Sequence, residues 1–451
     1  MSKNPVVIIP GIGQSVLFVE DNNGNKIKKA WPVEIDEKAL LADMKSSLMK
    51  MLLFRKDSGL SDKIAGLADS LTEVFAKTPD GDNKYNIKPV MVVNSLAECS
   101  ADEKNYILKN VPIQEFAEKV GEDRIYYFAY NFFGDAEETA KELDEFIASV
   151  KEKAGCDKVD LFVYSIGGVI LKAYLKEYSV KYDCEKIVNF SSALDGASIV
   201  ADIYENKLNI ENAMSMVSAM MGNSSVASMA GMIPVEIIQN IADKTISVIK
   251  KNILEKSTIL WALIPHDRFE AAFSAQTVTD VFAKKVRALN DYSETFRDEA
   301  KRLAQNGMKF YQICGSGQKI PEIFDSSGIE SDGLLDVSSA SFGDIFPDTT
   351  WYFDGQDHIE AMYDDVAMSL AAKIFTEDDI SAYPLKNGSR NIKKLKNKLI
   401  PKVKTALVTA SGEEKSKLLE CLDAYEKLLA ESVIENDNNI KQLEKTIEET
   451  V

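Results

Sequence analysis

Ser165 ends an apolar run, Leu161, Phe162, Val163 and Tyr164, and is followed at once by Ile166, Gly167 and Gly168. A strand that ends in serine and turns sharply into a helix exposes the hydroxyl. It also aims the helix N-terminus at developing negative charge. That is the setting of a serine nucleophile in acyl transfer. The usual spacing is G-x-S-x-G; Val163 stands where the first glycine would be, and Gly167 fills the second. The same residues also read as a serine capping an ordinary helix. Acyl transfer needs two backbone N–H donors on the oxyanion. Ile166 supplies one by position, and Ile12, in the turn Pro10-Gly11-Ile12-Gly13 after the first apolar run, is the candidate for the other. That turn is equally plain punctuation after a strand.

A serine nucleophile needs a base, and the chain has only two histidines, His266 and His358. His358 follows a late apolar run and opens a helical pattern, where groups collect at the carboxyl ends of parallel strands. His266 lies in a methionine-rich stretch and is expected to be structural or to line a cap. The acid that orients the base should fall between Ser165 and His358. Asp332, before Gly333 in a turn, fits best; Asp336, Asp344, Asp354 and Asp357 compete with it.

Composition removes other chemistries. Two histidines and five scattered cysteines (Cys99, Cys156, Cys184, Cys314 and Cys421) exclude a multi-histidine metal centre, a zinc knuckle and a disulfide framework. No metal and no organic cofactor is expected. A net charge of -18 argues against non-specific nucleic-acid binding. No signal peptide and no membrane-length apolar run is visible, so a cytoplasmic home is expected. Nothing in the sequence fixes the oligomeric state.

These side chains must be held by a scaffold, and the apolar runs say which. Val6–Ile9 is wholly apolar and β-branched; 124–130, 158–164, 186–190, 309–314 and 349–353 resemble it. Helical spacing follows at 136–154, 166–182 and 358–375. Such alternation predicts an α/β fold, a mostly parallel sheet with helices on both faces. Core segments 1–17, 124–198 and 309–384 are separated by two insertions, 18–123 and 199–308. Both are too long to be bare loops and are expected to be largely helical caps. Six of the 14 methionines fall between Met214 and Met232, within the second. Met214, Met216 and Met220 are soft enough to line an acyl-chain pocket, or simply to pack cap helices. Residues 385–451 read as a C-terminal helical appendage. It holds eight Lys or Arg and no acid between 386 and 404, then eleven acids and five lysines between 413 and 449. The basic stretch suits transient contact with an anionic membrane surface, or docking on the acidic body.

In order along the chain, these segments resemble the lecithin:cholesterol acyltransferase-like lipases of the α/β-hydrolase superfamily. The likeness is carried by the opening strand and turn through Gly11, the segment ending at Trp31, and the aromatic strand around Tyr127 and Tyr130. It continues in the Ser165 strand, the Ser191-Ser192 loop, the Asp332-Gly333 segment and His358. It covers roughly residues 4–375 and leaves the tail unexplained. Val163 and Tyr164 depart from the family's Gly and His. The resemblance implies a Ser165–His358–Asp332 triad acting on lipid or other hydrophobic esters, by hydrolysis or by acyl transfer. A non-catalytic hydrolase-fold binding or scaffold protein is the alternative that Val163 and the appended helices motivate.

Overall fold

The structure is a computed structural model that describes residues 3–33, 45–51 except 48, 53–209, 212, 234–377, 380, 388–389, 399–407, 410–430 and 437–450. Ten strands form two sheets. They are β1 (Val6–Ile9), β2 (Leu17–Glu20), β3 (Lys26–Trp31), β4 (Ile87–Pro89), β5 (Ile125–Tyr127), β6 (Val159–Tyr164), β7 (Cys184–Phe190), β8 (Lys309–Ser316), β9 (Thr350–Asp354) and β10 (Gly388–Ser389). The main sheet runs β10-β9-β8-β7-β6-β1-β5, and every pairing in it is parallel. Alternation explains why both faces are apolar. Val7, Ile9, Leu161 and Val163 join the core on one face, and Val6, Ile8, Phe162 and Tyr164 join the core on the other.

Helices cover both faces. They are α1 (Leu60–Thr72), α2 (Ala101–Asn110), α3 (Gln114–Val120), α4 (Ala136–Ala154), α5 (Gly167–Tyr178), α6 (Ser198–Tyr204), α7 (Val235–Ile249), α8 (Asp280–Gln305) and α9 (Asp365–Thr376). In the tail lie α10 (Ile400–Leu407), α11 (Gly412–Ala430) and α12 (Asp437–Thr450). Residues of α4, α5 and α8 share one core, and residues of α3, α9 and the tail helices share the other. With β6 inside the parallel sheet and turning directly into α5, this is the α/β-hydrolase fold.

The insertions are folded and touch each other. Met51, Leu60 and Ile237 form a small apolar cluster between them, and Asn240 Nδ2 donates to Asp57 Oδ2 at 2.8 Å. The second insertion has its own centre, where Trp261 packs with Tyr204, Phe269 and Phe282. The first is helical in large part but also holds a three-stranded antiparallel sheet, β3-β2-β4, which the sequence pattern did not reveal.

Two boundaries differ from the sequence reading. The strand expected over 124–130 is paired only at Ile125–Tyr127. The helix expected to open at His358 starts at Asp365. The Asp364 carboxylate caps it, accepting from the N–H groups of Val366 and Ala367 at 3.0 and 2.9 Å. His358 therefore sits on an irregular loop between β9 and α9. Among the described residues, no helix is long and apolar enough to cross a membrane.

Candidate active site

The site begins at the end of β6. Ser165 has φ of +55°, a left-handed conformation rare outside glycine. The surroundings hold it there. Its N–H donates to the Ser191 carbonyl at 3.2 Å, and its carbonyl accepts from Ala193 N at 2.9 Å and Gly168 N at 3.1 Å. Such strain costs about 1–3 kcal/mol and persists only where packing over-determines it. The helix-capping alternative for Ser165 is not what is seen. Ile166 is the N-cap of α5, with no side-chain cap.

Three glycines permit the close approach. A Cβ on Gly167 would lie 2.7 Å from the Ile9 carbonyl oxygen, and one on Gly168 would lie 3.0 Å from Ala193 N. A Cβ on Gly11 would lie 2.9 Å from the Tyr164 ring and 3.1 Å from Ser165 Cβ. Val163 disturbs nothing. Its side chain is fully buried in the core, across the sheet from Ile9, and its carbonyl accepts from Ser192 Oγ at 2.7 Å. The tight contacts fall on Gly167 and Gly168, on the helix side of the turn, and on Gly11 of the facing loop.

Ser165 Oγ lies 2.9 Å from His358 Nε2. On the ring's other side, His358 Nδ1 lies 2.7 Å from Asp332 Oδ2. Asp332 is fully buried. Its Oδ1 accepts from Leu335 N at 2.8 Å and Leu334 N at 3.2 Å, and its carbonyl accepts from His358 N at 2.9 Å. The loop bearing the acid and the loop bearing the base are thus stitched together by both backbone and side chain. The competing acids are engaged elsewhere. Asp336 accepts from Ser198, Asp344 bonds Tyr352, and Asp357 caps the turn after it. Asp354 is exposed at the end of β9. His266 faces Asn290 within the second insertion and is not part of the site.

Tyr164 has a role that sequence reasoning missed. Its hydroxyl donates to the His358 carbonyl at 2.6 Å, and its ring stacks on the imidazole, with centroids 5.6 Å apart at 18°. Burial, with the Asp332 charge adding to it, pushes the phenol above its ordinary range, so it stays a neutral donor. The same two causes push up the Cys314 thiol behind the site and keep it protonated.

The turn after β1 is clamped from all sides. Tyr130 Oη donates to the Pro10 carbonyl at 2.7 Å, Trp31 Nε1 donates to the Gly13 carbonyl at 2.7 Å, and Tyr127 Oη donates to the Gln14 carbonyl. The Gln14 side chain turns back to accept from Gly11 N at 2.6 Å. Ile12 is left at the rim. Ile12 and Ile166 both border the cavity of about 460 Å³ that Ser165 and His358 open into. Val200, Leu263 and Met362 continue its apolar wall. Met214, Met216 and Met220 lie outside the described residues. Among the described residues, no group of acids, cysteines or histidines is arranged to hold a metal ion.

No family profile and no curated protein matches the sequence. Among solved structures, the chain is similar to the Bacillus licheniformis lipase BlEst2. The mature form is 13% identical, over 58% of this chain and 83% of that one, with a TM-score of 0.34. The propeptide form is 14% identical, over 59% of this chain and 46% of that one, with a TM-score of 0.33.

Proposed function

We propose that the chain is a serine hydrolase that cleaves hydrophobic carboxylic esters through an acyl-enzyme on Ser165. One observation carries this reading: the unbroken hydrogen-bond chain Ser165–His358–Asp332, built on a serine held at positive φ. A neutral imidazole at 2.9 Å can take the Oγ proton as the oxygen attacks the ester carbonyl. The buried Asp332 carboxylate fixes the tautomer that leaves Nε2 free to accept, and it stabilises the imidazolium that forms. The Ile12 and Ile166 N–H groups would meet the oxyanion of the tetrahedral intermediate. His358 then returns the proton to the departing alcohol oxygen. Water repeats the sequence in reverse to free the acid and restore the serine. An alcohol in place of water would give acyl transfer by the same steps.

The apolar wall around Ser165 supports a hydrophobic ester over a polar one. A fluorophosphonate probe is expected to label the full-length protein and to leave Ser165→Ala unlabelled. Loss of the nucleophile should cost at least roughly 10³-fold in kcat on p-nitrophenyl esters. If purified wild-type protein takes no probe and turns over no ester across a chain-length series, the enzyme reading is wrong.

A further inference from the structure

The turn after β1 carries the Ile12 N–H, and its backbone shows how that donor is aimed. Gly11 to Gln14 close a tight turn, with Gln14 N donating to the Gly11 carbonyl. Gly13, in third place, has φ of +78°, the left-handed value that a type II turn requires there. A trans peptide points its N–H away from its C=O. Holding the Gly11 carbonyl inside the turn therefore sends the Ile12 N–H outward, and nothing among the described residues accepts from it. A Cβ on Gly11 would lie 3.1 Å from Ser165 Cβ, so this peptide runs beside the nucleophile.

The turn's own closing bond is a poor restraint. At 3.4 Å it is longer than an ordinary N–H···O bond. The Tyr130, Trp31 and Tyr127 clamps act on the Pro10, Gly13 and Gln14 carbonyls, none of which belongs to the Gly11–Ile12 peptide. The Gln14 side chain supplies what is missing. Its Oε1 accepts from Gly11 N at 2.6 Å. Gly11 is buried, so without that oxygen its N–H would be an orphan, and the turn would have to shift to satisfy it. The other end of the amide is also held. Nε2 lies 3.6 Å from the sulfur of Met362, a buried residue of the loop that carries His358. One side chain thus ties the turn that bears the oxyanion donor to the loop that bears the base.

We propose that Gln14 is a positioning residue for acyl transfer, its side-chain amide keeping the Ile12 N–H aimed at the oxyanion. This deepens the reading of Ser165 as the nucleophile and rests on it.

The full-length protein and a small set of variants test it. Gln14→Met keeps the length of the side chain and removes the acceptor for Gly11 N. On p-nitrophenyl butyrate, kcat and kcat/KM should fall together by about 10-fold, a fraction of the roughly 10²–10³-fold that deleting an oxyanion donor costs. Gln14→Asn, a methylene too short to reach Gly11 N, should behave alike and stands in if the first variant does not fold. Butylboronic acid, which builds a tetrahedral adduct on a nucleophilic serine, should bind more weakly by the same factor as kcat/KM falls. Ile12→Pro deletes the N–H itself, and proline suits the second place of a type II turn. Once that donor is gone, adding Gln14→Met should cost less than about 2-fold more. A thermal melt and fluorophosphonate labelling taken to completion report that each variant is folded. Wild-type kinetics in folded Gln14 variants, unchanged boronate affinity, or losses that multiply in the double variant overturn this inference. The serine-hydrolase reading then still stands on the labelling of Ser165. A wild-type protein that takes no probe and turns over no ester overturns both.

Discussion

Tyr164 couples the two halves of the candidate site. It precedes Ser165 on β6, yet its hydroxyl grips the backbone of His358, 194 positions away. Because the bond is to a carbonyl, it fixes the His358 loop and not the protonation of the ring. Removing the hydroxyl alone should therefore loosen the imidazole while leaving its chemistry intact. Tyr164→Phe is expected to lower kcat about 3- to 10-fold with little change in KM. A neutral hydrogen bond is worth about 1 kcal/mol, and a carbonyl left unpaired in a buried setting adds to the loss. Steady-state kinetics across pH, beside a thermal melt, checks this: kcat should fall while the pH profile keeps its shape. An unchanged kcat with a lowered melting midpoint would make Tyr164 purely structural. Ser165, His358 and Asp332 are singled out in the sequence by the types and chain order that acyl transfer would need, and the fold brings the three within hydrogen-bond reach. Tyr164 is not, because every residue carries a carbonyl oxygen, so the bond constrains no partner type and leaves no pattern in the sequence.

At the scale of elements, α5 links the serine turn to the second insertion through Lys172. This lysine is almost fully buried. Its Nζ donates to Ser293 Oγ at 2.8 Å on α8 and approaches the Ala262 carbonyl at 3.4 Å. Burial pushes it down from 10.5 to about 8, only partly countered by Asp195. The sign follows directly. Between pH 8 and 10.5 the unfolded chain keeps this proton while the folded chain releases it, so stability rises with pH in that window. Below pH 8 both states are charged, and the burial cost is paid in full. Lys172→Met should remove that slope: the wild type should gain up to about 3 kcal/mol on the variant between the two pH limits. Urea unfolding of both proteins at pH 7.5 and 10.5 measures it; parallel shifts would mean that Lys172 titrates normally. The strands of the main sheet were legible because being buried on both faces makes them continuous apolar runs. The small sheet was not. β3 is half lysine, with Lys28 and Lys29 adjacent, and is largely exposed, and β2 and β4 are short. The loop that holds His358 read as a helix because Ala361, Met362 and Val366 keep helical spacing. Asp364, by capping α9, moves the true start past it.

At the scale of the whole molecule, the tail belongs to one of the two faces. Ile400 and Val403 of α10, and Leu399 just before it, are buried. So are Leu418 and Tyr425 of α11 and Leu443 and Ile447 of α12. All share a core with Phe116 of α3 and Met368 of α9. Tyr425 Oη reaches Asp365 Oδ2 at 3.3 Å, at the first turn of α9. The helix that follows His358 is therefore braced from outside by the tail. The lysines between 386 and 398 lie outside the described residues, but the apolar residues after them are packed on the body. Each buried aliphatic side chain is worth roughly 1.5–3 kcal/mol of transfer free energy, partly offset by the entropy of ordering the tail. A chain ending at Pro384 is therefore expected to melt several degrees lower than full length and to bind a hydrophobic dye at room temperature. Calorimetry and dye fluorescence on the two proteins check it. A truncated chain that melts with the full-length protein and binds no dye would show that the tail helices add nothing to this face. The expected outcome also bears on membranes. A truncation that bares apolar surface would itself bind vesicles, so vesicle binding by the basic stretch must be compared between full-length chains that differ only in its lysines. If neutralising Lys393, Lys394, Lys396 and Lys398 to glutamine leaves co-sedimentation with anionic vesicles unchanged, the stretch has no membrane role, whatever the truncated chain does.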